Sequence, residues 1–468
     1  TCKLGASRSQ SLINTMNKWL IKGLNVLSIA TLVVGIGMIC SCSCGKIETP
    51  NDVKFLSEFQ EINFESNENW LTSDNLSLYV DYSTCMAQAM KTSPFFSDMI
   101  PSLTAATKNF YSIKGDSIKK ETGKVFTLLS SIQETNYADI LTAAENIVEG
   151  NSEGVLLTDG EYYEPTVAKS HVNDPYLKDV FSKWLKKGHD IYVVAEPYKE
   201  VYNGNVFDKK RFYFLFTDSR VPNNIYDRIL QCVDMKKYPN VDIYHMSVSH
   251  PTIMAEGTSS KPDGDLAATV DGYGNFEIQN WSIDWNSIQN IYLNANVDEN
   301  GNPLPTGKPV ISGLKIDRNS FGCFRIKDIV LKVYDINEPY AEFYGNKVAG
   351  LKAVKMQSPL QETTNFFALD EKEFKAHSLV NISLDPAFND VCLDGSPYNY
   401  TKVDICVNGV DYVFDNYSSM FDFQSIDVPG QMNSSVAESI KQCLTDPSIK
   451  KMMDNALIYT IYIKSNEK

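Results

Sequence analysis

Between residues 75 and 250 the sequence alternates short apolar runs with amphipathic segments, and this alternation constrains the fold more than any other feature. The run at residues 76–80, LSLYV, is rich in β-forming side chains, as are the runs around residues 155, 192 and 213. Helical patterns lie between them, with apolar side chains every three or four positions. This order predicts an α/β domain with a doubly wound, mostly parallel sheet covered by helices on both faces.

Beyond residue 250 the pattern changes to short β-type runs that are separated by Gly, Asn and Asp. Asn408 and Gly409 lie between two such runs, and this dipeptide favours a β-hairpin. We therefore predict a β-rich, sandwich-like region over residues 251–468, with one late helix at about residues 434–455.

Residues 16–44 have the layout of a secretory signal, in which two lysines precede an apolar stretch and a Cys-Ser-Cys-Ser-Cys segment. The segment resembles a bacterial lipobox with Cys42 as the lipidated residue, because Ile39 stands three positions before it. An uncleaved membrane anchor is the alternative, although the apolar stretch is short for a complete span. The resemblance implies a lipoprotein of the bacterial cell envelope, attached to the outer membrane or the cell surface.

The predicted organisation therefore has four parts. Residues 1–42 are an upstream extension and a signal peptide, residues 43–74 are an acidic, polar tether, residues 75–250 are the α/β domain, and residues 251–468 are the β-rich domain. The net charge of −15 argues against a nucleic-acid partner, which would require basic side chains to neutralise phosphates. The cysteines beyond residue 44 contain no C-x-x-C pair, and this spacing excludes a zinc ribbon.

Two of the predicted strands end on an acidic residue. The first strand ends at Asp81, which opens the segment Asp-Tyr-Ser-Thr-Cys, and a later strand ends at Asp159 in a Thr-Asp-Gly turn. Thr135 begins the helical pattern between them. Because ligands of parallel α/β sheets bind at the carboxyl ends of the strands, we expect these side chains to lie in one pocket.

These motifs resemble the von Willebrand factor A (vWA) domain and its metal-ion-dependent adhesion site (MIDAS). That family has D-x-S-x-S after the first strand, a threonine at the start of a middle helix, and an aspartate in a T-D-G turn. Asp81 and Ser83 match the first motif, Thr135 the second and Asp159 the third. The resemblance covers residues 75–250 only.

The resemblance implies a Mg²⁺ site, or a Ca²⁺ or Mn²⁺ site, formed by Asp81, Ser83, Thr135 and Asp159. An open coordination position would accept an acidic side chain of a protein partner, so the implied function is adhesion or assembly at the membrane and not catalysis. Cys85 stands where the family pattern has a serine. A thiol is a poor ligand for Mg²⁺ or Ca²⁺, which makes this a doubtful metal position.

Two alternatives remain open at this point. In the first, Ser83, Thr84 and Thr135 cap helices while the two aspartates accept hydrogen bonds from loop amides. In the second, the chain is a hydrolase, with Cys85 as a nucleophile beside His245 or His250, or with Asp81 and Asp159 as ligands of a catalytic metal. No motif connects Cys85 to a histidine, so a binding protein is our prediction.

Overall fold

The fold is described here from a computed structural model of the chain. It describes residues 59, 71–91, 93–130, 137–166, 169–248, 255–257, 269–273, 276–280, 288–295, 311–319, 322–351, 360, 362–363, 367–384, 398–428 and 430–466. Within this part of the chain, no helix is both long enough and apolar enough to cross a membrane. The predicted lipidation residue Cys42, the signal segment and Thr135 lie outside the described residues.

Strands and helices alternate in the first part of the chain. The strands are β1 (Thr72–Asp81), β2 (Thr107–Lys114), β3 (Ser117–Glu121), β4 (Ser152–Thr158), β5 (Tyr162–Glu164), β6 (Lys169–His171), β7 (Asp190–Tyr202), β8 (Asn205–Thr217) and β9 (Asp242–Met246). The helices are α1 (Thr84–Lys91), α2 (Pro94–Ala106), α3 (Val125–Ser130), α4 (Ile140–Glu149), α5 (Lys178–Lys186) and α6 (Ile225–Cys232). The α/β character predicted for this part is confirmed.

Seven of these strands form one sheet in the order β3-β2-β1-β4-β8-β7-β9. Strand β1 is parallel to both of its neighbours, β2 and β4. The other neighbouring pairs are antiparallel. The sheet is therefore mixed, and the prediction of a mostly parallel sheet is wrong.

The two-residue connection between β7 and β8 is the physical reason for this difference. Asn203 and Gly204 both have positive φ, at 49° and 79°, as a type I′ turn requires. This turn pairs Tyr202 directly with Asn205 and makes β7 and β8 a long antiparallel hairpin. A connection this short cannot form the crossover that parallel neighbours need.

Both faces of the sheet are covered by apolar side chains. On β8, Phe212, Phe214 and Phe216 point into one layer, whereas Tyr213 and Leu215 point into the other. The first layer includes α4 and α5, and the second includes α1, α2 and α6. Side chains alternate in direction along a strand, so each long strand contributes to both layers.

The second part of the chain contains further sheets. Its strands are β10 (Ala255–Gly257), β11 (Thr269–Tyr273), β12 (Phe276–Asn280), β13 (Ile288–Ala295), β14 (Ile311–Ile316), β15 (Phe324–Ile326), β16 (Ile329–Asp335), β17 (Phe367–Leu369), β18 (Leu379–Leu384), β19 (Tyr398–Val407), β20 (Val410–Tyr412), β21 (Phe423–Gln424), β22 (Met432–Asn433) and β23 (Leu457–Asn466). Its helices are α7 (Asn337–Val348), α8 (Glu371–His377), α9 (Ser435–Thr445) and α10 (Pro447–Met452). The larger sheets have the orders β11-β12-β13-β23-β19-β16 and β10-β14-β18-β17.

Two local predictions in this part are wrong. The strand after Asn408-Gly409, β20, pairs with β15 and not with β19, because β19 already has β16 and β23 as its neighbours. The single helix predicted at residues 434–455 is two helices. Pro447 lacks a backbone N–H, so it cannot continue the first helix and instead begins the second one. Asp446 is the N-cap of this second helix.

Helix α9 does not pack only within the second part of the chain. Val436 and Ile440 belong to the same apolar layer as Phe181 of α5 and Phe214 of β8. All described residues belong to one compact unit, residues 47–468. The boundary that the sequence predicts at residue 250 remains a prediction, and the layer beneath the central sheet includes side chains from both sides of it.

Candidate metal centre

Strands β1 and β4 are parallel neighbours, and Val80 pairs with Leu157 in their register. Asp81 and Thr158, the last residues of the two strands, therefore lie side by side. The Thr158 hydroxyl donates to Asp81 Oδ2 at 2.9 Å, and the Ser83 backbone N–H donates to Asp81 Oδ1 at 2.7 Å. Both carboxylate oxygens of Asp81 thus accept a hydrogen bond, and the side chain is held at the sheet edge.

A tight turn after β4 directs two more acidic side chains to the same edge. Gly160 has φ 74°, a left-handed conformation that favours glycine, and its N–H donates to Thr158 Oγ1 at 3.1 Å. The Glu161 N–H donates to Asp159 Oδ1 at 2.9 Å. The Thr-Asp-Gly motif therefore forms a turn that presents both Asp159 and Glu161 beside Asp81.

These side chains face a cavity of about 370 Å³. Its polar and charged lining includes Asp81, Ser83, Cys85, Asp159, Glu161 and Glu200. The structure thus brings together Asp81, Ser83 and Asp159, three of the four residues in the predicted site, and Thr135 lies outside the described residues. The prediction that Thr135 begins the middle helix is wrong, because α4 begins at Ile140 and Asp139 caps it. Their role as metal ligands remains a prediction.

The β7–β8 hairpin supplies charged groups that the sequence motifs did not indicate. Thr158, the last residue of β4, pairs with Phe212, so the hairpin continues past the edge at which β4 ends. Glu200 on β7 lines the cavity, and Lys209 on β8 forms a buried ion pair with Glu161. The sequence feature that indicates this arrangement is the Asn203-Gly204 turn between two long runs of β-forming residues.

Negative charge in the cavity is only partly compensated. Burial raises the pKa of Asp81, although donors from Ser83, Thr158 and Asp159 oppose the rise. Burial, and then the charge of Asp81, raises the pKa of Asp159 to about 7. Burial also raises the pKa of Glu161 to about 7, even though Lys209 opposes it. Such buried carboxylates favour either a proton or a cation.

The Ser83 hydroxyl is the buried polar group at this edge that lacks a partner. The residue is 6% exposed, and its Oγ makes no hydrogen bond of normal geometry to a described atom, although it lies close enough to the Asp81 carboxylate to lower the pKa of that acid. Ser83 also lines the cavity. A buried hydroxyl is normally hydrogen-bonded, so Ser83 Oγ is available to a water or to a ligand in the cavity.

The surroundings of Cys85 oppose a role as a nucleophile. Burial, followed by the charges of Asp159 and Glu161, raises the pKa of the Cys85 thiol well above its ordinary value. Among the described residues, none of those lining the cavity is a histidine. His245 stacks on Tyr192, with ring centroids 4.1 Å apart, and His250 lies outside the described residues.

A buried charged network in the hairpin lies next to this site. Arg211 Nε donates to Glu196 Oε2 at 3.0 Å, and the Tyr213 hydroxyl donates to the same oxygen at 3.0 Å. The Ser93 hydroxyl donates to the other oxygen of Glu196. The guanidinium is fully buried, so the network fixes the β7–β8 pair in the segment that leads to Lys209 and Glu200.

Comparison of the chain with protein-family models, with curated proteins and with solved structures gave no match. The resemblance to the vWA domain therefore depends on its three motifs, and membership of that family remains a prediction.

Proposed function

We propose that this chain is a binding protein which holds a divalent cation in the cavity at the ends of β1 and β4 and uses it to bind a protein partner. The observation that carries the proposal is the meeting of two buried aspartates, Asp81 and Asp159, beside the orphaned Ser83 hydroxyl. Helix capping alone would not explain why two like charges are buried together when, among the described residues, Lys209 offsets only part of their charge.

The oxygen donors in the cavity fit a divalent ion. Asp159 and the Ser83 hydroxyl would hold it, and Asp81, whose oxygens already accept hydrogen bonds, would contribute charge directly or through water. A bound ion supplies positive charge and a coordination position that an outside carboxylate can fill. No proton transfer is required, so this is binding chemistry.

The surface beside the cavity supports a protein as the partner. Tyr202 lines the cavity and is 46% exposed, and its neighbours on the hairpin, Val201 and Val206, are 57% and 61% exposed. Val201 and Val206 pair directly across the hairpin, on the face opposite to Tyr202, so the hairpin tip exposes apolar side chains on both faces next to the cavity, as interaction sites do. The partner in this proposal presents an Asp or Glu to the ion and an apolar side chain to the hairpin tip.

Attachment to an envelope membrane completes the proposal. It follows from the lipobox-like segment at Cys42 and the polar tether over residues 43–74. A lipid anchor would place the binding site outside the membrane without a transmembrane helix. Loss of radiolabelled palmitate incorporation in Cys42→Ala, with retention in Cys44→Ala, is the expected result in a bacterial host. Equal labelling of both variants would refute Cys42 as the anchor.

Calorimetric titration of the full chain with Mg²⁺, Ca²⁺ and Mn²⁺ tests the cation site. We expect one site per chain, which is lost in Asp81→Ala and in the isosteric Asp81→Asn. Glu145→Gln, which removes an exposed acid on α4, serves as the matched control and should bind as the parent chain does. Binding that persists unchanged in both Asp81 variants would overturn the proposal.

The open coordination position is tested with Mn²⁺ as the probe. Water bound to Mn²⁺ relaxes rapidly, so a carboxylate that replaces this water lowers the measured water-proton relaxation rate. We expect glutarate, a mimic of a glutamate side chain, to lower the rate of the Mn²⁺-loaded chain, while the neutral glutaramide does not. Equal effects of the two probes would show that the ion does not accept a carboxylate.

A further inference from the structure

Three side chains in the cavity converge closely enough to hold one metal ion. A ligand atom of Cys85, one of Asp159 and one of Glu161 lie within 4.8 Å of one another. In tetrahedral coordination with the usual Zn–S and Zn–O bond lengths, two ligand atoms lie about 3.5 Å apart. Small side-chain rotations would close the difference, because Cys85 lies in the first turn of α1 and both acids belong to the β4–β5 turn.

The buried Ser83 hydroxyl is a second, independent sign of a ligand at this place. It lines the same cavity as the three converging side chains, and it has no hydrogen-bond partner among the described residues. Ser83 precedes Cys85 by two positions: it lies between β1 and α1, and Cys85 is the second residue of α1. The hydroxyl can contribute to the fourth position around an ion, alone or through a water.

The sulfur atom determines which ion this set prefers. Mg²⁺ and Ca²⁺ bind oxygen ligands, whereas Zn²⁺ and Co²⁺ combine thiolate with carboxylate. We infer that Cys85, Asp159 and Glu161 bind a borderline divalent ion of the zinc and cobalt class. This inference rests on the proposed function and specifies its cation, since the thiolate takes the position that a serine has in the family pattern.

The charge of Lys209 offsets the charge that the three ligands would leave around a divalent ion, and Asp81 and Glu200 add further negative charge to the same cavity. One thiolate and two carboxylates around a divalent ion leave a single negative charge. Lys209 is fully buried, forms an ion pair with Glu161 and supplies a single positive charge at that place. As the metal–sulfur bond forms, the thiol proton leaves Cys85 and passes to the solvent.

Co²⁺ is the probe that reports on sulfur directly, because a cobalt–thiolate bond gives a charge-transfer band in the near ultraviolet. The experiment uses the full chain with Cys40, Cys42 and Cys44 replaced by serine, so that these neighbouring thiols do not contribute. We expect Co²⁺ to produce the band and added Zn²⁺ to remove it. Cys85→Ser should abolish the band, while Cys232→Ser, which removes an exposed thiol, should retain it.

The affinities provide a second measurement. Loss of a residue that only hydrogen-bonds to a metal ligand weakens metal binding by about 10- to 100-fold. Loss of a ligand itself should have a larger effect, so Cys85→Ser should weaken Zn²⁺ binding at least about 100-fold. Mg²⁺ binding should stay the same or become tighter in that variant, because a hydroxyl replaces the thiol. Glu161→Gln should also weaken Zn²⁺ binding, and it tests the site without changing the cysteine. Circular dichroism spectra identical to the parent's establish that each variant is folded.

The outcomes separate this inference from the proposed function. Mg²⁺ binding that depends on Asp81, without a thiolate band, would overturn the inference and leave the proposed function standing. A band that persists in Cys85→Ser would also overturn the inference. No binding of any of the ions would overturn both.

Discussion

Gly160→Ala is the substitution that most directly tests the turn between Asp159 and Glu161. An added Cβ would lie 2.6 Å from Phe212 Cδ2 and Cε2 and 3.2 Å from Val436 Cγ2. The left-handed backbone costs a non-glycine residue roughly 1–2 kcal/mol. Overpacking against the fully buried Phe212 ring adds roughly 1–3 kcal/mol. The variant should therefore lose about 2–5 kcal/mol of its free energy of unfolding.

Gly204→Ala is the matched control, since Gly204 has nearly the same φ, 79°, and an added Cβ would have no atom within 4 Å. It should lose only the backbone contribution, roughly 1–2 kcal/mol. Urea denaturation followed by circular dichroism gives both free energies. Gly160→Ala should also weaken cation binding, because it displaces both acids, whereas Gly204→Ala should not. Equal losses of stability in the two variants would refute the packing argument at Phe212.

Two further predictions concern the buried charges. Arg211→Met leaves Glu196 buried without its cation and should cost about 3–5 kcal/mol, and the double variant Arg211→Met with Glu196→Gln should recover part of this loss in urea denaturation. Burial alone would raise the pKa of Asp218, but hydrogen bonds from His189 and Arg220 hold it below its ordinary value of 3.8. Its stabilisation is therefore present above about pH 4 and is lost as the pH falls further. Asp218→Asn should flatten the fall of the urea midpoint below that pH, and an unchanged slope would contradict the assignment.

The convergence of Asp81 and Asp159 could be predicted because each acid follows an apolar strand, and β1 and β4 are parallel neighbours. The motifs could not indicate Glu161, Glu200 or Lys209 as part of the site. Glu161 depends on a turn conformation, and the other two depend on how far the β7–β8 hairpin extends past the sheet edge. Pairing between distant segments leaves little trace in local periodicity.

The same reasoning explains where the fold prediction failed. Strand–helix alternation is visible in the sequence, but strand direction is set by connections, and the Asn203-Gly204 turn reverses the chain within two residues. The destination of α9 could not be predicted either. Its amphipathic pattern shows that one face is buried, and it does not show that the covering surface is α5, some 250 residues earlier.

The position of α9 has a consequence for how the molecule reaches its final state. Ser435 is made after the whole central sheet has left the ribosome, yet Val436 and Ile440 fill the layer beneath that sheet. Contacts that join such remote segments slow folding, since a long loop must close before they form. The apolar surface that α9 covers is therefore exposed until α9 docks, and we expect a chain without docked α9 to be prone to aggregation.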